Sequence, residues 1–73
     1  MKTIQVTIQL EVPDDVTHVA IDEDGEIYTY EAPPVILSDD AILWHSDKSH
    51  VKVATMNGGY PEWKNSLQEV ATL

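Results

Sequence analysis

The feature that most constrains the fold is the turn signal Asp24-Gly25, which lies between two runs of alternating residues. Both turn positions tolerate positive φ, which is typical of a two-residue β-hairpin. Centring the turn on this dipeptide predicts four cross-strand pairs: Ile21 with Tyr28, Val19 with Tyr30, Ala20 with Thr29 and His18 with Glu31. The first two pairs are expected to form one apolar face.

Two further regions predict strands. Residues 4–12 alternate apolar and polar side chains, the pattern of a half-buried strand. A second hairpin is predicted from residues 41–45 and 50–56, because that register sets Trp44 opposite Val51 and Ile42 opposite Val53.

The C-terminal region contains a proline suited to the first position of a helix. After Pro61, Trp63, Leu67 and Val70 are spaced for one helical face, although the same stretch could be an ordered tail. Residues 1–73 are therefore expected to form a single, mainly β domain. It would contain a small antiparallel sheet of about five strands with two hairpins, followed by either a short C-terminal helix or an ordered tail.

The charge of the chain and its lack of cysteine indicate which classes of partner and which cell compartment to expect. The chain has thirteen acidic residues, four basic residues and a net charge of −9, which disfavours direct binding to nucleic acid or to an anionic membrane surface. It has no cysteine, which excludes disulfides and favours a reducing compartment. Since the first residues resemble neither a signal peptide nor a membrane span, a cytoplasmic protein is expected.

No residue pattern predicts an enzyme or a bound cofactor. The serines lack a glycine-flanked elbow, and the chain has no glycine-rich phosphate loop. Residues 20–31 match part of an EF-hand calcium loop, but Ala20 replaces the first carboxylate, so the hairpin is the better interpretation. His45 and His50, predicted to face each other across the second hairpin, are too few ligands for a structural zinc site.

The acidic residues are the better candidates for binding. Ten acids and no base lie between Glu11 and Asp40. The predicted register sets Glu23 opposite Glu26, and a basic partner would relieve that repulsion. Two aromatic residues near the C-terminus are expected to form an exposed patch. The predicted partner-binding residues are Asp14, Asp15, Asp22, Glu23, Asp24, Glu26, Glu31, Tyr60 and Trp63.

The segment VPDDVTHVAIDEDGEIYTYEAPP, followed by PEWKNSL, resembles small uncharacterised accessory proteins encoded by tailed bacteriophages. The resemblance spans Val12 to Leu67, and its motifs are structural rather than catalytic. It implies a protein made in the cytoplasm of the infected bacterium, where such small acidic proteins often look like inhibitors.

The leading hypothesis is a binding protein that inhibits a bacterial host or antiviral-defence protein by contacting its basic surface. One alternative is a homo-oligomeric sponge that sequesters a small nucleotide signal, with the backbone amides around Gly58-Gly59 helping to hold the anion. Another is a minor structural protein of the virion.

Overall fold

The computed structural model describes Met1, Lys2, Ile4 and residues 11–70. Within these residues the fold is mainly β, as predicted, with one antiparallel sheet in the order β3-β2-β1-β4. Most of the strand predicted at residues 4–12 lies outside the described residues. The strands are β1 (His18–Ile21), β2 (Glu26–Tyr30), β3 (His50–Thr55) and β4 (Gln68–Glu69).

The first hairpin forms, but its predicted register is wrong by one residue. Ile21 pairs with Ile27 rather than with Tyr28. The reason is a three-residue loop: the N–H of Asp22 bonds the carbonyl of Glu26 at 2.9 Å, and the N–H of Gly25 bonds the carbonyl of Asp22 at 2.9 Å. Gly25 has a φ of +90°, as the bulge that ends such a loop requires.

This shift moves the tyrosines to the other face of the hairpin. Ala20 now pairs with Tyr28, and His18 pairs with Tyr30. Ala20 and Tyr30 are almost completely buried. A small residue beside two rings leaves room for the aromatic side chains that cover this face.

The prediction of a second hairpin is also wrong, although the later of its two strands forms as β3. β3 pairs with β2, not with residues 41–45, and places His50 opposite Tyr30. Within the long connection between β2 and β3, Val35 and His45 form a two-bond bridge with both N–O distances at 2.8 Å. The connection therefore crosses the sheet face instead of extending the sheet.

The predicted C-terminal helix is reduced to one 3₁₀ turn, Trp63–Asn65. The chain then enters β4, which pairs with β1. The Ser66 hydroxyl explains the change of direction, because its Oγ accepts the N–H of Ile21 at 2.8 Å and donates to the Trp63 carbonyl at 2.6 Å.

The core is small and aromatic. Its buried hydrophobic residues are Ala20, Tyr30, Trp44 and Trp63. The two tryptophan rings meet edge to face with centroids 6.1 Å apart, a favoured aromatic geometry. The Trp44 indole N–H lies 3.1 Å from the carbonyl of Ile21, so the ring is fixed to β1. No helix within the described residues has the length and apolar character needed to cross a membrane.

Candidate functional site

The hairpin loop gathers three acidic side chains. Carboxylate oxygens of Asp22, Asp24 and Glu26 all lie within 4.8 Å of one another. Glu23, between them, is exposed. Each pair of charges at this separation repels by about 1 kcal/mol even in bulk water. We call Asp22, Glu23, Asp24 and Glu26 the acidic tip; these four predicted site residues lie in one loop, and the carboxylates of Asp22, Asp24 and Glu26 form its cluster.

Asp22 differs from the other tip residues because it is buried, with only 6% of its surface exposed. Its Oδ1 accepts the backbone N–H of Trp44 at 2.9 Å. Burial raises the pKa of this carboxyl above its ordinary value, and the charges of Asp24 and Glu26 add to the rise. The Trp44 hydrogen bond and the nearby His50 oppose it. The ionised tip is therefore under electrostatic repulsion.

Glu26 is the tip residue with a compensating partner. Its Oε1 lies 3.6 Å from Nζ of Lys52 on β3, and its Oε2 accepts the Tyr28 hydroxyl at 3.2 Å. The Asp24 carboxylate instead accepts the N–H of Glu26 at 3.0 Å, a contact that shapes the turn. Lys52 thus offsets part of the negative charge of the acidic tip.

A cavity of about 90 Å³ opens beside the acidic tip, on the aromatic face of the sheet. Its lining consists of Asp22, Tyr28, Tyr30, Leu43, Trp44 and His50. The His50 ring stacks on Tyr30, with centroids 5.7 Å apart, and tilts against Tyr28 at 5.6 Å. The cavity therefore combines one buried carboxylate with walls that are largely aromatic.

The remaining predicted acids form a second group at the other end of the hairpin. β1 has four residues, so at about 3.4 Å per residue this group lies roughly 14 Å from the tip. A hydrogen bond with Asp15, together with its charge, raises the pKa of Glu31, while contacts with Ser49 lower it. We call Asp14, Asp15 and Glu31 the basal acids. The structure does not join them to the acidic tip.

The exposed aromatic patch predicted at the C-terminus is wrong for Trp63. This side chain is only 3% exposed, because it packs edge to face on Trp44. Tyr60 is half-buried against the same core, and its N–H bonds the carbonyl of Glu23 at 2.9 Å. The Tyr60 backbone is thus joined to the tip, and Trp63 belongs to the core rather than to an exposed patch.

The histidines do not face each other as predicted. His45 contacts Asp47 at 3.0 Å, whereas Nδ1 of His50 lies 3.2 Å from the carbonyl of Lys48. The partner of His18 across the hairpin is Tyr30 rather than Glu31. The change follows from the register shift and from the pairing of β3 with β2.

Sequence reasoning missed the part that Tyr28, Trp44 and His50 play in the cavity. These residues come from β2, the long connection and β3. Trp44 reaches Asp22 through its backbone N–H, and a backbone contact across 22 positions has no signature in the sequence. The alternation of Tyr28 and Tyr30 indicates the aromatic face of the sheet only when the correct register of the hairpin is known.

Comparisons with known proteins return no match to this chain among protein-family models, curated proteins or solved structures.

Proposed function

We propose that this protein binds and inhibits a bacterial host or antiviral-defence protein by placing its acidic tip against a basic surface of that protein. The observation that carries the proposal is the set of three carboxylates held within 4.8 Å, one of them buried. The resemblance to phage accessory proteins supports a bacterial partner and a cytoplasmic place of action.

Electrostatics favours a cationic partner over other classes. Holding like charges together costs free energy in the unbound protein, and opposite charge from a partner would recover part of that cost. The net charge of −9 would also steer a basic protein toward the tip during diffusion. Binding is therefore expected to be fast and to weaken with added salt.

The hairpin holds the tip in a defined shape. The two backbone hydrogen bonds of the loop, at 2.9 Å each, and the bond from the N–H of Met56 to the carbonyl of Gly25, at 2.8 Å, fix its backbone. A preorganised loop loses little conformational entropy on binding. A preorganised anionic loop of this kind suits an inhibitor that contacts a basic surface of its partner.

The test is affinity capture of the tagged protein from bacterial lysate at low and high salt. A host protein that is retained at low salt and released at high salt is the expected result. A tip variant carrying Asp22→Asn, Glu23→Gln, Asp24→Asn and Glu26→Gln should lose this protein. Inhibition is then measured with the purified captured protein in its own activity assay.

The basal acids provide a matched control. A basal variant carrying Asp14→Asn, Asp15→Asn, Glu31→Gln and Glu69→Gln also removes four of the thirteen acids. It should keep the captured protein, since these residues lie away from the tip. Equal loss in both variants would show that net charge rather than the tip drives capture, and salt-independent capture would remove the electrostatic mechanism.

The nucleotide-sponge alternative gains no support from the described residues. The depression at Gly58 and Gly59 is also lined by Glu23, whose carboxylate would repel an anion, and its lining includes no lysine. A closed oligomer with a bound nucleotide in the native mass spectrum would nevertheless favour the sponge. Presence in purified particles would favour the virion protein.

A further inference from the structure

We propose that the aromatic-lined cavity beside the acidic tip receives the side chain of one lysine from the basic partner. This inference deepens the proposed function and rests on it for the nature of the partner. Its chemistry is testable without that partner, because the cavity should also bind a free lysine derivative.

The buried carboxylate has an oxygen to offer. Oδ1 of Asp22 is occupied by the N–H of Trp44, and no donor among the described residues bonds Oδ2. No fully buried side-chain oxygen or nitrogen in this part of the chain lacks a hydrogen-bond partner, so Oδ2 must reach an accessible surface. Because Asp22 lines the cavity, this oxygen is available to a donor that enters it.

The walls favour a cationic donor. Tyr28 and Trp44 line the cavity, whereas the Tyr30 ring is almost completely buried and stacked on His50. An ammonium group near an aromatic face is attracted by the quadrupole of the ring. The same rings provide apolar contact for the methylene groups of a lysine side chain. A desolvated carboxylate with aromatic walls is thus complementary to an alkylammonium ion, and it would repel an anion.

Size and geometry favour lysine over arginine. The cavity has a volume of about 90 Å³ and is partly open to solvent, so it can receive the end of an extended side chain such as that of lysine. Arginine binds carboxylates best through two parallel hydrogen bonds. Since Oδ1 already accepts the Trp44 N–H, Oδ2 is the oxygen of Asp22 that keeps both of its acceptor sites, which suits the compact ammonium group.

Acidic residues beside the cavity strengthen the preference for a cation. Asp24 and Glu26 bring carboxylates within 4.8 Å of that of Asp22, and Lys52 contacts the Glu26 member at 3.6 Å. A lysine entering beside the tip would meet negative charge before it reaches Asp22. The long-range steering of the proposed function and the short-range contact in the cavity would then act on the same cation.

The experiment is an NMR titration of the ¹⁵N-labelled protein at pH 7.5 and low salt with Nα-acetyl-lysine methylamide. The expected result is saturable shifts at Trp44 and His50, with a dissociation constant on the order of millimolar. The arginine analogue should bind several-fold more weakly. The norleucine analogue, which lacks the charge, should show no saturable binding.

Asp22→Asn should weaken lysine binding at least tenfold, whereas Asp14→Asn, an equal change of charge in the basal acids, should change it less than twofold. Tyr28→Leu, which keeps an apolar wall without the ring, should weaken it severalfold and tests the cavity independently of Asp22. Equal binding of all three analogues, or equal effects of Asp22→Asn and Asp14→Asn, would overturn the proposal. Calcium shifting the same signals more strongly than lysine would replace it with a metal site.

The outcomes separate the two proposals. One outcome is that the lysine analogue fails to bind while the wild-type protein still captures a salt-sensitive host protein that the tip variant loses. In that case the proposal of a lysine site is wrong and the proposed function stands. If the analogue binds and no such protein is captured, the cavity stands as a lysine site and the inhibitory function is wrong.

Discussion

The carboxylate of Asp22 accepts the backbone N–H of Trp44 at 2.9 Å, and this bond joins the hairpin tip to the long connection that covers the aromatic face. Trp44 in turn donates its indole N–H to the carbonyl of Ile21, next to Asp22. The two residues therefore hold each other in place. One side chain therefore accepts a hydrogen bond that joins two parts of the fold and also lines the candidate binding cavity.

Asp22→Asn is expected to raise the melting temperature at neutral pH. Asparagine keeps an acceptor for the Trp44 N–H and removes a charge that burial and the neighbouring acids disfavour. Because the folded-state pKa of Asp22 lies above its ordinary value of 3.8, the native state holds this proton to higher pH than the unfolded state does. The contribution of Asp22 to the free energy of unfolding is therefore fully present below pH 3.8, and it is lost as the pH rises through the folded-state pKa.

Between pH 3 and pH 8, the melting temperature of the Asp22→Asn variant should therefore fall less with rising pH than that of the wild-type protein does. Asp14→Asn controls for the loss of one negative charge on an exposed turn. Asp22→Ala, which also removes the acceptor, is expected to be less stable than Asp22→Asn by about 1–3 kcal/mol. A steeper decline in Asp22→Asn would contradict the assigned sign.

Gly25→Ala is expected to destabilise the fold by roughly 3 kcal/mol or more, since two costs combine. Gly25 has a φ of +90°, and a Cβ there would overlap the carbonyl oxygen of Met56. Gly58→Ala is the matched control, because its φ is +87° but a Cβ would contact nothing within 4 Å. It should cost only about 1–2 kcal/mol. Urea unfolding of both variants measures the difference, and equal losses would argue against the contact with Met56.

Ser66→Ala should lower the free energy of unfolding by about 1–3 kcal/mol, because the N–H of Ile21 would lose its acceptor. Ser46→Ala removes a comparable hydroxyl that bonds the N–H of Lys48 in an exposed loop. That control should change stability by less than about 0.5 kcal/mol. Hydrogen exchange at the Ile21 amide provides a local readout, and unchanged protection in Ser66→Ala would count against the contact.

Asp15→Asn is expected to lower the pKa of Glu31 toward its ordinary value, since the hydrogen bond and charge of Asp15 are the main causes of its rise. An NMR titration of the Glu31 side-chain carboxyl carbon measures this directly. Asp14→Asn removes the neighbouring charge and should have the smaller effect. If the pKa of Glu31 does not change in Asp15→Asn, the carboxyl group of Asp15 is not the cause of the raised value.

The mainly β class and the position of the first hairpin could be predicted from local pattern. Alternation on both sides of Asp24-Gly25 is a property of neighbouring residues, and hairpins are built from neighbours. The acidic tip was predictable for the same reason, because Asp22, Glu23, Asp24 and Glu26 are held together by one turn.

The register and the cavity were not predictable in this way. The alternating pattern is compatible with both a two-residue and a three-residue loop, and the contacts made by Trp44, Trp63 and Ser66 distinguish the two. The burial of Trp63 similarly depends on Trp44, which is 19 positions away. Such pairs leave no periodic signal in the chain.

The sequence by itself therefore determined the segments that form β1, β2 and β3, the turn that joins β1 to β2 and the concentration of negative charge at that turn, since each depends on residues close together in the chain. Only the tertiary structure decided which face of the hairpin is buried, which strand lies beside β2, and that Asp22 lines one cavity with Tyr28, Trp44 and His50. The physical reason is that burial and hydrogen bonding depend on distance in space, and several registers satisfy the local preferences until distant aromatic residues pack against one of them.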